Sequence, residues 1–177
     1  MTMGTITEIG RAAMAKAIKE QPIFLALGRG KSAWGNGVPP LESIEATALL
    51  DEIGRRALTR SLYVTPDSDG EIEVPVSVAQ DAQGNYNVES ERYTASSVPT
   101  RHIYLEFALD YVDAADETIR EIGVYVGSIL KSGLPSGQMY FKKSDFSDEG
   151  LLFEIEHKRP YIREVNRRTT FAWVISI

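Results

Sequence analysis

The segment Gly28-Arg29-Gly30-Lys31-Ser32-Ala33 is where residue types and spacing come nearest to phosphate chemistry. A P-loop needs G-x-x-x-x-G-K-[ST], because backbone amides and the lysine must surround the phosphates together. Gly30-Lys31-Ser32 supplies the end of that pattern, but Leu25 stands where the first glycine belongs. The same residues scan as G-x-G-x-x-A after an apolar run, like a dinucleotide-binding turn. That turn works by setting pyrophosphate on the N-terminus of a helix that begins at once. Gly35, Gly37, Pro39 and Pro40 forbid such a helix here. A structural loop is expected instead.

The other candidates are weaker. Ser128-x-x-Lys131 has the spacing of a serine-lysine acyl-transfer motif, which belongs at a helix start; here it precedes Gly133 and Pro135. Only His102 and His157 could act as imidazole bases or metal ligands, and neither has a carboxylate at a diagnostic spacing. Glu71/Glu73 and Glu154/Glu156 put carboxylates two apart on strand faces. Glycosidase chemistry needs its pair across a cleft, so solvated faces are expected. Asp67-Ser68-Asp69-Gly70-Glu71 lacks the glycine and glutamate positions of a calcium loop and reads as a turn. His157, Lys158, Arg159, Arg163, Arg167 and Arg168, interleaved with Tyr161, form the best nucleic-acid candidate, yet Glu154, Glu156 and Glu164 dilute it. The expectation is a protein without catalytic residues, cofactor or metal, and not an enzyme.

Composition agrees with that expectation. The 177 residues are 43% hydrophobic and 25% charged, which is an ordinary globular balance. With 19 basic and 25 acidic residues the net charge is −6, which argues against a general nucleic-acid binder. The absence of cysteine rules out a disulfide framework, a thiolate nucleophile and a cysteine-ligated zinc. Charge is uneven along the chain: residues 1–60 carry 8 basic and 6 acidic groups, 61–118 carry 2 and 12, and 119–177 carry 9 and 7. Weakly basic ends flanking an acidic centre suit either a solvated sheet face or complementary patches in an assembly. The start MTMGTITEIG has neither the charge nor the apolar core of a secretory signal, and no apolar run nears the ~20 residues of a bilayer span. The chain is expected to stay where it is made unless an assembly carries it out.

The elements that must position these residues follow from periodicity. Thr5-Ile6-Thr7-Glu8 fits a capping box with Thr5 as N-cap. Ile6, Ile9, Ala13 and Ala17 then line one helical face, so the spacing predicts a helix over 6–20, ended by Pro22. Ile23 to Leu27 reads as a buried strand, and Gly28 to Pro40 as a loop with Trp34 in its middle. Leu49, Leu50, Ile53 and Ala57 predict a second helix over 45–58. After Arg60 the period becomes two. Leu62/Val64, Ile72/Val74/Val76/Val78, Ile103/Leu105/Phe107/Leu109/Tyr111, Ile122/Val124/Val126, Leu151/Phe153/Ile155 and Phe171/Trp173/Ile175/Ile177 are each expected to share a face. Pro75 points outward on an edge strand, and turns fall at Asp67 to Gly70 and at Gln83-Gly84-Asn85. The expected fold is α+β, with N-terminal helices packed on a mostly antiparallel β-sandwich. The expected organisation is one domain over 1–177, comprising a helical and strand part (1–60) and an antiparallel part (61–177).

The order of these pieces resembles the N-terminal domain of phage tail-collar and tail-fibre proteins. In that family an alanine-rich helix precedes an apolar strand, a glycine-rich turn, a proline and a T-A-L-x-x-E-x-x-R segment. The matching residues are Phe24 to Gly30, Pro39-Pro40 and Thr47 to Arg55, and Ile119 to Tyr125 (IREIGVY) is similar to the family's R-E-I-G-L-Y strand. Arg29 stands where the family often has aspartate, and no shaft or receptor-binding tip is expected after Ile177. The resemblance implies a structural component of the virion tail, assembled in the host cytoplasm, that joins fibres or other parts to the baseplate or collar. It implies other tail, baseplate or fibre proteins as partners, together with copies of itself. No nucleic acid or membrane insertion is expected. The long loop is the expected partner interface, through Arg29, Lys31, Trp34, Pro39 and Pro40, because Trp and Arg dominate binding hot spots; the alternative is that Trp34 folds back on the chain's own helices as core. The rival expectation is a carbohydrate-binding β-sandwich or glycan-active domain, which would gather Trp34, Tyr86 and Tyr93 on an open platform.

Overall fold

The computed structural model describes residues 4–80 and 86–177, with backbone alone for 77–80 and 86–88. Its elements are helix α1 (Glu8–Lys19) and strands β1 (Ile23–Gly28), β2 (Glu52–Ala57), β3 (Arg60–Pro66), β4 (Ile72–Gln80), β5 (Tyr86–Ser96), β6 (His102–Leu109), β7 (Thr118–Val126), β8 (Ile129–Leu130), β9 (Tyr140–Phe141), β10 (Phe146–Asp148), β11 (Leu151–Ile162) and β12 (Thr169–Ser176). The fold is thus mostly antiparallel β with one short helix. The expected turn at Gln83-Gly84-Asn85 lies outside the described residues. Two compact units share the chain: Met1–Glu20, Arg60–Glu106 and Ala172–Ile177 form one, Gln21–Thr59 and Phe107–Phe171 the other.

The second of these units is built on the sheet β11-β7-β1-β2-β9, with the ribbon β10-β8 beside it in sequence. Strand β1 is buried at every position, as its unbroken apolar run requires of a central strand. Phe24 meets Phe141 and Phe146 edge-on at 5.9 and 5.1 Å, while Ala26, two residues along the same face, packs with Leu49 and Tyr125. Leu25 and Leu27 fill the opposite face and are also buried.

The helix expected over 45–58 does not form. Residues 52–57 are instead strand β2, hydrogen-bonded to β1 on one side and β9 on the other. The 3.6-residue spacing of Leu49, Ile53 and Ala57 was coincidental, and two-sided ladder pairing overrides a weak helical preference. Gly54 is explained by that pairing: a Cβ there would lie 2.7 Å from the Phe141 carbonyl and 2.6 Å from the Tyr140 hydroxyl. Beside it, Arg55 is fully buried. Its guanidinium donates to Glu52 at 2.8 and 3.0 Å, to the Ser128 hydroxyl and to the Glu149 carbonyl, and stacks 3.5 Å from the Tyr125 ring centre.

Strand β11 corrects a second expectation. Leu151, Phe153 and Ile155 were expected inward, yet Leu151 is 75% and Phe153 40% exposed. The register slips between Leu152 and Glu154. Ahead of that shift Leu152 stands opposite Tyr125 and packs against the Ala26–Leu49–Tyr125 cluster, so its neighbours Leu151 and Phe153 face the other way.

The first unit carries the sheet β12-β6-β3-β5-β4, of which β6 and β12 run on past its limits. Its core is Val64, Val74, Tyr93 and Tyr104, joined by Leu62, Ile72, Ala172 and Val174. Strand β4 is the edge, and Pro75 is exposed on it as the sequence suggested. A register shift between Pro75 and Ser77 turns Val76 outward against expectation. Asp67 to Gly70 forms the expected turn, closed by the Gly70 amide donating to the Asp67 carbonyl at 3.0 Å. Ile103, Leu105, Phe107 and Leu109 are buried along β6, whereas Tyr111 lies beyond its end and is exposed. On β12, Ile175 is buried and Trp173 half-buried.

Helix α1 begins two residues later than the capping box suggested. Thr7, not Thr5, is the N-cap, and its Oγ1 accepts from the Gly10 amide at 3.2 Å. Glu8 is drawn away to Arg101 at 3.3 Å. Ala15 is the fully buried residue of the helix, and Lys19 lies 5.0 Å over the Tyr63 ring. The stripe Ile6, Ile9, Ala13 and Ala17, read as one face from the sequence, is exposed throughout.

Candidate functional site

Between β1 and β2 the chain makes a connection of 23 residues with a single 3₁₀ turn, Ser32–Trp34, inside it. Loops of that length are uncommon in compact units unless they serve a purpose. Gly28 to Pro40 is the loop the sequence predicted, and it is held at several points. Arg29 donates to both carboxylate oxygens of Glu117, at 2.7 and 2.6 Å, and to Asp51 at 3.1 Å. That bonding holds the Glu117 carboxyl below its ordinary range. Trp34 packs against the His157 ring, the two rings tilted by 42° with centroids 4.5 Å apart. Gly30, at φ +56°, gives the indole its room: a Cβ there would lie 2.6 Å from the Trp34 ring.

His157 is a second anchor. Its Nδ1 donates to the Pro40 carbonyl at 2.8 Å and its backbone amide to the Glu42 carboxylate at 2.7 Å. Burial works against ionisation of Glu42, but the amide bonds from His157 and from Glu42 itself outweigh it and hold this carboxyl low. His157 Nε2 lies 3.7 Å from Oε1 of Glu121, a carboxylate with no exposed side-chain surface. The other Glu121 oxygen accepts from the Leu50 amide at 3.1 Å, and Leu49 is buried alongside.

Between these anchors the loop bares three apolar side chains. Val38 is 77% exposed, Leu41 92%, and Ile44 is wholly exposed. Sequence reasoning missed all three. The signal was apolar residues with no period inside a Gly/Pro-rich stretch, and the expected helix beginning at Glu45 hid it. Of the residues it did name, Arg29 and Trp34 brace the loop from within, Lys31 and Pro40 are exposed, and Pro39 is half-buried.

The chemical candidates resolve into structural contacts. The Ser128 hydroxyl donates to the Glu149 carbonyl, and Lys131 Nζ to the Ser144 carbonyl. His102 Nδ1 lies 2.7 Å from the Ser176 hydroxyl, on an open cleft of about 610 Å³ whose other walls include Asp67, Glu91 and Tyr93. In the basic cluster Arg163 is buried and donates to the Asp110, Asp113 and Arg167 carbonyls and to the Thr169 hydroxyl. Arg168 pairs with Asp110, and Lys158 with Glu156. Among the described residues no three His, Asp or Glu groups converge as metal ligands would. Tyr93 is buried with its hydroxyl on Glu91, and the Tyr86 side chain lies outside the described set.

No curated protein matches the sequence. A family model described as baseplate wedge 3 tail fiber network component matches residues 3–177. The chain belongs to that family, and is a structural component of a phage tail baseplate.

Proposed function

We propose that this chain is a connector of the tail fibre network, and that the loop between β1 and β2 is where a neighbouring tail, baseplate or fibre protein docks. Val38, Leu41 and Ile44 form the contact, with Lys31, Pro39 and Pro40 at its rim. Arg29 and Trp34 contribute by holding the loop in shape. Copies of the chain also meet one another within the network.

The observation that carries this reading is the combination of exposed apolar side chains with a backbone tied down at Arg29, Trp34, Pro40, Glu42 and Leu50. An exposed apolar cluster gains free energy when covered, about 1.5–3 kcal/mol for each large aliphatic side chain. A loop already ordered loses little entropy on docking, so more of that gain appears as affinity. The partner surface is accordingly an apolar cleft on another tail protein. Leu41→Asp combined with Ile44→Asp should leave the isolated protein's unfolding midpoint unchanged, since neither side chain is packed. The same protein should fail to enter tails in a complementation assay. Normal incorporation of the double variant would overturn the assignment.

A further inference from the structure

We propose that the outward face of α1 is a self-association surface, on which the α1 helices of two copies pack antiparallel about a two-fold axis near Ala13. This rests on the reading that copies of the chain meet within the network, and it names the surface they use.

The face is well defined. Ile6, just ahead of the helix, lies beside Gly10, where its Cγ2 would sit 3.4 Å from an added Cβ. Ile9, Ala13 and Ala17 continue the stripe, and all are exposed, with Ile9 at 83%. The helix is fixed through its other side, by Ala15, by Lys19 over Tyr63 and by Glu8 on Arg101. The stripe runs for about 16 Å, the rise of eleven helical residues. An amphipathic helix normally buries its apolar stripe; this one buries the opposite side.

The occupant follows from two gradients along that stripe. Side-chain size falls from isoleucine at the N-terminal end to alanine at the C-terminal end. Parallel copies would set isoleucine on isoleucine and leave alanine facing alanine across a gap. A reversed copy places Ile9 opposite Ala17 and Ala13 opposite Ala13, so large meets small at each level, as close packing of helix ridges requires. Charge runs the same way. Glu20 is the C-cap residue, where a carboxylate is poorly placed relative to its own helix dipole, and it pairs only loosely with Lys16 at 3.8 Å. In the reversed copy it lies opposite Ile6, and the basic last turn that holds Lys16 and Lys19 comes to the end where the neighbour carries Glu8 in its first turn. The two dipoles are also opposed. A surface graded in both size and charge is complementary to itself reversed, which is what a two-fold contact demands. One pair of three-turn helices buries less than a standard interface, so the dimer is weak in solution and is strengthened by local concentration within the particle.

The absence of cysteine makes the test direct. Full-length Ile9→Cys and Ala17→Cys proteins are mixed at high concentration and oxidised mildly. The proposal expects the 9–17 heterodimer to exceed both the 9–9 and the 17–17 products. Sedimentation of the unaltered chain should show a concentration-dependent dimer, which Ile9→Lys weakens about 10- to 100-fold without changing the thermal midpoint. Predominance of 9–9 and 17–17 products overturns the antiparallel arrangement. A dimer unaffected by Ile9→Lys overturns the α1 surface and leaves self-association standing. A strictly monomeric chain with no cross-link overturns both.

Discussion

Replacing Arg55 by methionine should destabilise the unit that carries the loop between β1 and β2 by about 3–5 kcal/mol, the cost of breaking a buried ion pair from one side. Methionine keeps the length of the arginine stem, so little of the loss comes from a cavity. The loss comes from what remains. The Glu52 side chain is 4% exposed and receives two of its bonds from Arg55, so its carboxylate would be left buried and unpaired. The Glu149 carbonyl would lose a donor at 2.6 Å, and the cation would no longer lie 3.5 Å from the Tyr125 ring and 4.8 Å from Phe146. Replacing both partners removes the cause: Glu52→Leu with Arg55→Met should recover most of the stability, to within about 1–2 kcal/mol of the parent. The chain has two tryptophans, Trp34 in this unit and Trp173 in the other. Urea unfolding followed by Trp34 fluorescence in a Trp173→Phe background therefore reports on the unit in question. The reasoning fails if Arg55→Met costs under about 1 kcal/mol, or if the double variant is as unstable as the two single losses added together.

Gly54→Ala should cost about 1–3 kcal/mol, because the new methyl meets the Phe141 carbonyl and β9 must shift from β2; an unaltered thermal midpoint would contradict the close approach. Trp34→Ala removes the packing against His157 and should speed amide exchange across residues 31–44 with at most about 1.5 kcal/mol of lost stability; unchanged exchange would mean that the indole does not brace the loop. Glu117 has a depressed folded value, so the stability it adds is complete above the unfolded carboxylate value near ~4.3 and disappears as pH falls through the lower folded one. Glu117→Gln should flatten that acid limb by about 1 kcal/mol or less, the pair being part-exposed. Parallel stability curves for the two proteins between pH 5 and 3 would rule the contribution out.

What could be seen in the sequence divides along physical lines. β1, β6 and β7 were legible because their burial follows directly from a continuous or alternating apolar pattern. The loop after Gly28 was legible because glycine and proline act locally. β2 was not: its partners are β1 and β9, and the pairing of Arg55 with Phe141 and Arg56 with Tyr140 leaves no trace in the residues 52–57 themselves. On β11 the place of Leu152 opposite Tyr125 sends Phe153 outward, and the composition of β11 alone does not record that register. The brace of the loop between β1 and β2 depends on residues 88 and 117 positions apart, Arg29 with Glu117 and Pro40 with His157. No local spacing encodes such pairs. Trp34 was singled out for its type, and its role as an internal strut emerges only once His157 is brought beneath it. For α1 the period revealed a stripe but not which side the chain would cover, since Ala12 and Ala15 are as apolar as Ala13 and Ala17.

The central claim, that the loop between β1 and β2 joins this chain to another tail protein, is tested most directly by a photo-cross-linking amino acid placed at Ile44 in assembled particles. Ile44 is fully exposed in the isolated chain, so irradiation of the free protein should yield hydrolysed probe. In the particle the account predicts a covalent adduct between residue 44 and a different tail, baseplate or fibre protein. Intact particles in which the probe at 44 reacts only with water would contradict it.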